Sequence, residues 1–334
     1  MVRWKQLSVE EAARTWDRAL VNFPEHTIFQ ALDWGRYKKT LGWAPSYWVA
    51  VDSLGDVHAM AQALVRIYPL RIAVVSCVGG PVGPTELWNA GFPQVIREST
   101  EGYRLYCRVS SYRPKADADV SRLSSYGWER PSYPLSSGRS LVLDLTRTDQ
   151  ELFSGFTRNW RRNLKRAQKR HMTVRPWTHP STTDLVALYY SMESYKGIRT
   201  QYSGSQLDAM VRNLDGEILL YRCDDSAGRP LALRACAVQG ARAWDLLAAT
   251  SPEGRRCYAS YALLWALIRA CRRLDVSTYD LGGVDPIKAK GVYDFKRGTG
   301  AADVEYLGEW EWATSAWLWC AGNLAIRFRQ EGFL

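Results

Sequence analysis

Two stretches of the chain share one pattern of apolar and polar positions. Residues 47 to 67, YWVAVDSLGDVHAMAQALVRI, place apolar runs on either side of a turn at Gly55, and residues 217 to 238, EILLYRCDDSAGRPLALRACAV, do the same around Gly228. Apolar runs of this length that flank a glycine turn predict paired strands. Since the two turns lie about half the chain apart, the pattern predicts an internal duplication.

Helix signals precede each of these strand pairs. Ser8 to Glu11 and Thr148 to Glu151 have the spacing of a capping box, and Ser181 to Asp184 has the same spacing with Asp in place of Glu. In the second half, residues 259 to 273 predict a helix that leads into a strand at 276 to 281. Each unit is therefore predicted to contain helices, a mostly antiparallel sheet, and then a helix with a further strand.

The predicted boundary between the units lies near Ser136-Ser137-Gly138, just before a predicted strand at 140 to 145. The stretch nearest to membrane length is 312 to 326, which has no charge but is shorter than the about 20 residues that a spanning helix needs. We predict a C-terminal helix packed on the core. The tryptophans at 310, 312, 317 and 319 leave an interfacial contact as the alternative.

Composition limits the class of protein. The chain has 334 residues, 46% of them apolar, which is enough for two domains of ordinary size. The first twenty residues carry acids and no apolar segment of a signal peptide, so we predict a cytoplasmic protein. Seven cysteines form no C-x-x-C pair and four histidines have no metal-ligand spacing, so we predict reduced thiols, no metal site and no cofactor.

The net charge of +10 is concentrated in one segment, RNWRRNLKRAQKR. At helical spacing its cations form one face, with Trp160, Leu164 and Ala167 on the other. A helix that is merely solvated usually interleaves acids for i,i+4 pairs, and this one has none, so we favour a polyanion partner. The predicted contacts are Arg158, Arg161, Arg162, Lys165, Arg166, Lys169 and Arg170.

Several segments, in this order, resemble the Fem family of aminoacyl-tRNA-dependent peptidyltransferases, in particular the FemX-type enzymes. They are FQALDWGRYKKTLGW, CVGGPVGP, the basic segment, YDLGGVDP and GVYDFKRGTG followed by VEYLGEWEW. The resemblance implies an α+β chain of two tandem domains with the N-acetyltransferase (GNAT) fold, each a mixed, mostly antiparallel sheet flanked by helices. The first domain would comprise 1–138, with 309–334 packing back on it, and 139–308 would form the second, which carries the catalytic loop.

The resemblance also implies a reaction. Moving an aminoacyl group from the 3′ ester of tRNA to an amine passes through a tetrahedral oxyanion, which a fixed cation and a backbone N–H stabilise. We assign that role to Lys296 with the backbone around Phe295. Gly282 and Gly283 would let the main chain approach a substrate closely. No covalent intermediate is required, because the ester is already activated.

Further contacts carry over from the family by position. Lys38, four residues after Trp34, matches a lysine that contacts the phosphates of a nucleotide-linked acceptor, and Trp34 would anchor its helix. Arg297 is expected to contact tRNA. Asp280 is assigned to the substrate site, while the general base is open among Asp280, Asp285 and Asp294, which could also simply cap turns.

The acceptor site departs from the family. Gln201 and Ser205 stand where an Arg and a Tyr are expected, and Leu247 replaces another tyrosine. Arg199 and Tyr202 are the candidate substitutes. We therefore favour an amine of a small peptide or natural-product intermediate, as in antibiotic biosynthesis, over a peptidoglycan precursor.

Two alternatives from other classes stay open. An acyl-CoA-dependent N-acyltransferase would need a Gly-rich basic loop before a helix, and SPEGRRCYASYALL offers Gly254 and two arginines but no later glycine, while Tyr258 and Tyr261 crowd the site. In the favoured reaction Tyr258 is assigned to substrate binding. A non-catalytic RNA-binding module would explain the basic segment but not the Phe-Lys-Arg motif.

Overall fold

A computed structural model of the chain describes residues 2–89, 91–197, 202–287 and 289–331. Contacts divide the chain into two compact units: unit 1, Met1–Arg139 with Glu305–Leu334, and unit 2, Ser140–Val304. The sequence predicts a first domain of residues 1–138 with 309–334 and a second domain of residues 139–308. These limits stay a prediction about folding domains.

Strands and helices are numbered along the chain. The strands are β1 (Arg3–Leu7), β2 (Ala44–Val51), β3 (Val57–Tyr68), β4 (Ile72–Val78), β5 (Arg104–Pro114), β6 (Arg139–Asp144), β7 (Thr173–Pro176), β8 (Ile218–Asp224), β9 (Pro230–Gln239), β10 (Arg242–Thr250), β11 (Thr278–Gly283) and β12 (Ala302–Ala313). The α-helices are α1 (Val9–Leu20), α2 (Leu32–Thr40), α3 (Gly91–Ser99), α4 (Asp117–Ser125), α5 (Asp149–Gly155), α6 (Arg158–Gln168), α7 (Thr182–Lys196), α8 (Gly204–Asn213), α9 (Pro252–Arg256), α10 (Ala259–Arg272), α11 (Lys290–Arg297) and α12 (Ala316–Glu331).

The sheet of unit 1 runs in the order β1-β2-β3-β4-β5-β12. Neighbours are antiparallel except β4 and β5, which are parallel and joined through α3. Fully buried Trp88, Trp128 and Trp310 fill the core on one side of this sheet, with Trp48 among them. Large aromatic side chains thus supply much of the apolar area that holds unit 1 together.

The sheet of unit 2 runs in the order β6-β11-β10-β9-β8-β7. Its parallel pair is β10 and β11, joined through α9 and α10. The core packs Trp160 of α6 and Leu264, Leu267 and Ile268 of α10 against the sheet. Each unit therefore holds a mostly antiparallel sheet with one parallel pair, and the predicted α+β class is confirmed.

The predicted hairpins and helix starts also hold. Both turn glycines have positive φ, +92° at Gly55 and +78° at Gly228, as a tight turn requires. The capping boxes at Ser8 and Thr148 are complete. At Ser181 the hydroxyl accepts a hydrogen bond from the Asp184 amide, so this residue caps α7.

Three local predictions are wrong. The loop predicted to carry Lys296 is instead the helix α11, with Tyr293 and Phe295 packed against the core of unit 2. The strand predicted at 276 to 281 is β11, two residues further along, so the two glycines end the strand.

The third error concerns the C-terminal helix. β12 continues through Trp312 to Ala313, and α12 begins only at Ala316. A run of apolar aromatic residues fits a buried strand as well as a helix, so periodicity could not separate them. Within the described residues no helix is long and apolar enough to cross a bilayer.

Candidate active site

The candidate site in unit 2 begins where β10 and β11 separate. The two strands pair in parallel from Arg242–Thr278 to Trp244–Asp280, and the pairing then stops. Beside this point β10 has an irregular register with β9 between Asp245 and Leu247. Backbone groups at the carboxyl ends of parallel strands that separate can be reached by a ligand, which makes this a natural binding position.

Lys296 lies at this opening. Its side chain is buried, with 8% of the residue exposed, and Nζ lies 3.3 Å from the carbonyl oxygen of Gly282 and 3.2 Å from that of Gly283. A buried ammonium is costly unless it donates to such groups. The two carbonyls therefore fix the cation at the carboxyl end of β11.

The glycines are shaped by Asp280. Its carboxylate, 1% exposed, accepts hydrogen bonds from the Gly282 amide (2.7 Å) and from the Ser140 hydroxyl. Gly282 has φ +79°, and a Cβ there would lie 3.5 Å from Nζ of Lys296. Asp280 thus orients the turn that holds the lysine, and a direct substrate contact by Asp280 stays a prediction.

A second buried group supports the helix of Lys296 and was missed from the sequence. Arg234 of β9 donates two hydrogen bonds to Asp245, at 2.8 and 2.7 Å, and Tyr279 donates to the same carboxylate at 3.1 Å. Burial opposes ionisation of Arg234, but the charges and hydrogen bonds of Asp245 and Tyr279 together outweigh it and raise the arginine pKa. The guanidinium lies 5.5 Å from the ring centre of Phe295. An Arg and an Asp eleven positions apart gave no sequence signal, because only the β9–β10 pairing brings them together.

Phe295 packs rather than points outward. Its ring lies 5.0 Å from Tyr261 and its carbonyl oxygen accepts a hydrogen bond of 3.1 Å from the Trp160 indole. Its amide lies in the last turn of α11, where helical amides donate to the preceding turn. The proposed backbone contribution of Phe295 to catalysis thus stays a prediction.

The basic face of α6 forms a groove of about 460 Å³. It is lined by Arg158, Arg161, Arg162, Lys165, Arg166 and Lys169. The opposite face buries Trp160, Leu164 and Ala167, as predicted. Among the described residues none of these cations forms an ion pair with a carboxylate. The groove therefore presents uncompensated positive charge.

The cations of the groove are not equivalent. Arg161 donates to the carbonyls of Ser154 and Phe156, at 2.6 and 2.8 Å, and so supports the chain before its own helix. Arg166 donates to the Tyr258 hydroxyl at 3.0 Å. The Tyr258 hydroxyl thus lies beside one cation of the groove, and a substrate contact by Tyr258 stays a prediction. Arg170 and Arg297 are exposed outside the lining residues.

The segment considered for CoA folds on itself. Residues 252–256 form α9, and the Gly254 amide donates to Ser251 Oγ at 3.0 Å. The amides of Arg255, Cys257 and Tyr258 donate to carbonyls within the same segment. A phosphate-binding loop needs backbone amides that are free to donate to the ligand. These four amides already donate within their own segment.

Lys38 and Trp34 lie together in unit 1. Nζ of Lys38 is 5.0 Å from the Trp34 ring centre, and Trp34 is buried. Burial lowers the pKa of Lys38, and the cations Arg329 and Arg66 lower it further. Several cations close together suit an anion, and the phosphate contact of Lys38 stays a prediction.

The acceptor candidates are divided. Arg199 and Gln201 lie outside the described residues. Tyr202 packs edge-on against Tyr189, and burial raises the pKa of both hydroxyls, at Tyr189 with Tyr202 and the carboxylates of Glu193 and Asp245 adding to it. Buried Tyr189 and Glu193 of α7 were missed from the sequence and place polar groups near Asp245.

The departures from the family pattern have clear positions. Leu247 is 1% exposed within unit 2, whereas Ser205 lies on α8 with its hydroxyl 2.9 Å from that of Ser203. Within the described residues no cluster of three His, Cys, Asp or Glu could hold a metal ion.

Comparison with known proteins gives the fold a context. The family described as acetyltransferase (GNAT) domain matches residues 154–297. A search of curated proteins found no match. The crystal structure of FemX superposes with a TM-score of 0.84 at 17% identity, over 96% of this chain and 100% of that one.

Two further structures are less similar. The tandem GNAT protein from the clavulanic acid biosynthesis pathway has a TM-score of 0.56 at 15% identity, over 94% of this chain and 99% of its own. L-PGS from Bacillus licheniformis has a TM-score of 0.52 at 11% identity, over 85% and 88%. Similarity at these identities establishes the fold rather than the activity. The resemblance inferred from sequence is thereby confirmed at this level: the chain has the tandem GNAT fold of FemX.

Proposed function

We propose that the protein transfers an aminoacyl group from aminoacyl-tRNA to an amine, forming an amide. The observation that carries this proposal is the contact of Trp160 with Phe295, because it joins two features on one pair of helices. One face of α6 displays the basic groove, and its other face supports the helix that holds Lys296. A polyanion bound in the groove would thus lie beside an acyl-transfer site.

The chemistry needs few protein groups. The acceptor nitrogen attacks the ester carbonyl carbon, the C–O bond to the ribose breaks, and the leaving oxygen takes up a proton that the amine loses. Negative charge develops on the carbonyl oxygen in between, and the ammonium of Lys296 would stabilise it. Because the ester is already activated, no protein nucleophile takes part.

The acceptor we favour is an amine on a small peptide or natural-product intermediate. Buried Leu247 offers no hydroxyl, and the Ser205 side chain is much shorter than the tyrosine that the family pattern expects. A peptidoglycan precursor remains the alternative acceptor within the same reaction class.

An acyl-CoA donor is the second candidate, favoured by the match of 154–297 to an acetyltransferase domain. The occupied amides of Gly254, Arg255, Cys257 and Tyr258 argue against it. A non-catalytic RNA-binding module would leave the buried lysine at the strand opening without a use.

One assay separates these functions. The protein is incubated with a pool of charged tRNA and candidate amines, and in parallel with acetyl-CoA and the same amines. We expect a new amide only with charged tRNA, lost on RNase treatment. Product from acetyl-CoA alone would favour the second candidate, and tRNA binding without any product would favour the third.

A further inference from the structure

The outer face of α12 is apolar although it is exposed. Trp317, Leu324 and Phe328 are 48%, 47% and 39% exposed, and their spacing of seven and four residues places them on one face of the helix. Exposed Cys320, Ala321 and Ala325 fill the same stripe. We call these six residues the apolar stripe.

The helix docks on unit 1 through its other side. Leu318 and Asn323 are buried, and a Cβ on Gly322 would lie 2.6 Å from the Tyr106 ring. The Asn323 amide donates to the buried carboxylate of Glu311 at 2.6 Å. The side that faces unit 1 thus includes a glycine and an asparagine beside Leu318, while Trp317, Leu324 and Phe328 stay exposed, so this helix leaves much of its apolar area uncovered.

The β3–β4 turn extends this surface. Leu70 is 78% exposed, and it and Arg71 have φ values of +62° and +55°, a conformation that costs free energy for residues other than glycine. The Arg71 carbonyl accepts a hydrogen bond from the Arg104 amide at 2.8 Å, and the Arg104 guanidinium lies 5.6 Å from the ring centre of Trp317. The turn and the apolar stripe are therefore connected through Arg104.

The surface also carries positive charge. Arg71 lies 5.1 Å from the ring centre of Tyr103 and donates to the backbone carbonyl of Glu101. Within the described residues neither Arg71 nor Arg104 forms an ion pair with a carboxylate. Arginines beside exposed aromatic and aliphatic side chains match the phosphates and the acyl boundary of a lipid surface.

We propose that the apolar stripe and the β3–β4 turn form a peripheral binding surface for an anionic lipid bilayer. A bilayer accepts apolar side chains from a helix and from a turn without a matching pocket, and anionic headgroups complement the two arginines. This inference is independent of the aminoacyl transfer proposed above.

The test is co-flotation of the full chain with vesicles of phosphatidylcholine, with and without phosphatidylglycerol. We expect binding to the anionic vesicles only. Trp317→Gln with Leu324→Gln should weaken it about tenfold or more, and Leu70→Gln by less, since fewer apolar groups are removed. All three side chains are exposed, so unchanged thermal unfolding confirms that the fold is intact.

Leu54→Gln is the matched control. Leu54 is 86% exposed in the β2–β3 turn, at the opposite end of β3 from Leu70. Its variant should bind like the wild type. A second control, Arg162→Glu with Lys165→Glu, tests whether the basic groove also binds the vesicles. In this background the substitutions in the apolar stripe should weaken vesicle binding by the same factor as in the wild type.

A site-specific readout comes from Cys320, labelled with an environment-sensitive fluorophore in a Cys257→Ser background, since the other cysteines are buried. Its emission should shift on adding anionic vesicles. Three results would overturn the proposal: no binding to anionic vesicles, binding that the stripe variants leave intact, or a concentration-dependent dimer that the stripe variants abolish, which would assign the surface to a second copy.

Discussion

At the carboxyl ends of their parallel strands the two units differ: the strands of unit 1 stay hydrogen-bonded to each other, which we call closed, and those of unit 2 separate, which we call open. In unit 1, β4 and β5 pair over seven positions, from Ile72–Arg104 to Val78–Ser110, and the Gly79 amide continues to the Ser110 carbonyl at 2.7 Å. In unit 2, β10 and β11 pair over three positions. Both units thus contain a parallel strand pair joined through a helix. In unit 1 the two strands stay paired up to their carboxyl ends, and in unit 2 they separate.

The difference teaches where chemistry can occur. Paired backbone groups in unit 1 are satisfied by the sheet, so that copy offers no opening at the strand ends. In unit 2 the strands separate, Gly282 turns back with positive φ, and Lys296 lies against the turn. We therefore expect substitutions at the opening of unit 2 to affect turnover, and those in unit 1 to affect binding or stability.

Lys296→Met should have the largest effect. The variant keeps the length of the stem but removes the cation, so turnover should fall by about 10² to 10³. Affinity for charged tRNA should hardly change. Because two carbonyls lose a donor, the free energy of unfolding should also fall, by about 1 to 2 kcal/mol. Steady-state kinetics, tRNA binding and thermal unfolding measure the three quantities.

Arg297→Met is the control for the lysine variant. Arg297 is exposed, and as a phosphate contact its loss should raise the apparent KM for tRNA in a salt-dependent way. If Lys296→Met kept full turnover, or lost activity only through weaker tRNA binding, the lysine would be a phosphate contact and the open strands would lack their catalytic group.

Charge reversal of the basic groove should be next in size. Arg162→Glu, Lys165→Glu and Lys169→Glu together should lower tRNA affinity about 100-fold at low salt and reduce the slope of log affinity against log salt by about 2. Arg161 and Arg166 are left in place because both hold neighbouring structure. Filter binding over a salt series measures the slope.

The control reverses two exposed cations on α1 of unit 1, Arg14→Glu and Arg18→Glu. Two reversals change the net charge by about four units, against about six for the three groove reversals, at positions far along the chain from the groove, and affinity should drop only slightly. Equal losses in the two sets would mean that the overall charge, rather than the groove, attracts tRNA.

Glycine substitutions probe the strand opening with a smaller effect. Gly282→Ala and Gly228→Ala both force a Cβ onto a residue with φ near +79°, so each should cost roughly 1 kcal/mol of stability. Only the Cβ at 282 would lie near Lys296 Nζ, at 3.5 Å, whereas at 228 nothing lies within 4 Å. Turnover should fall about tenfold for Gly282→Ala alone. Equal turnover in both variants would remove the opening from the mechanism.

Local signals in the sequence predicted the hairpins, the caps of α1 and α5, and the buried face of α6, because each depends on residues within a few positions. Signals that depend on pairing were missed. The Arg234–Asp245–Tyr279 group exists only because β9, β10 and β11 lie side by side. The predicted start of the C-terminal helix was wrong for a related reason, because Trp312 belongs to a strand only through the pairing of β12 with β5.

The smallest expected effect concerns Lys38 in the closed unit. Burial, Arg329 and Arg66 lower its pKa, so between that lowered value and the value in the unfolded chain the unfolded state binds more protons. Below this window the charged lysine opposes folding, and the cost disappears as the pH rises through the window. Lys38→Met should therefore slightly raise the free energy of unfolding at neutral pH, by about 0.5 kcal/mol, since the Trp34 ring already recovers part of the cost.

With a bound phosphate ligand, the charge of Lys38 should stabilise the folded protein instead of opposing folding. Inorganic pyrophosphate should raise the Tm of the wild type, because the anion compensates the cations, and it should raise that of Lys38→Met by less. Lys39→Met, which changes the exposed neighbour, should follow the wild type with and without pyrophosphate. If Lys38→Met were destabilised without ligand, or gained as much from pyrophosphate as the wild type, the lysine would hold structure rather than phosphate, and the closed unit would have no binding role at this position.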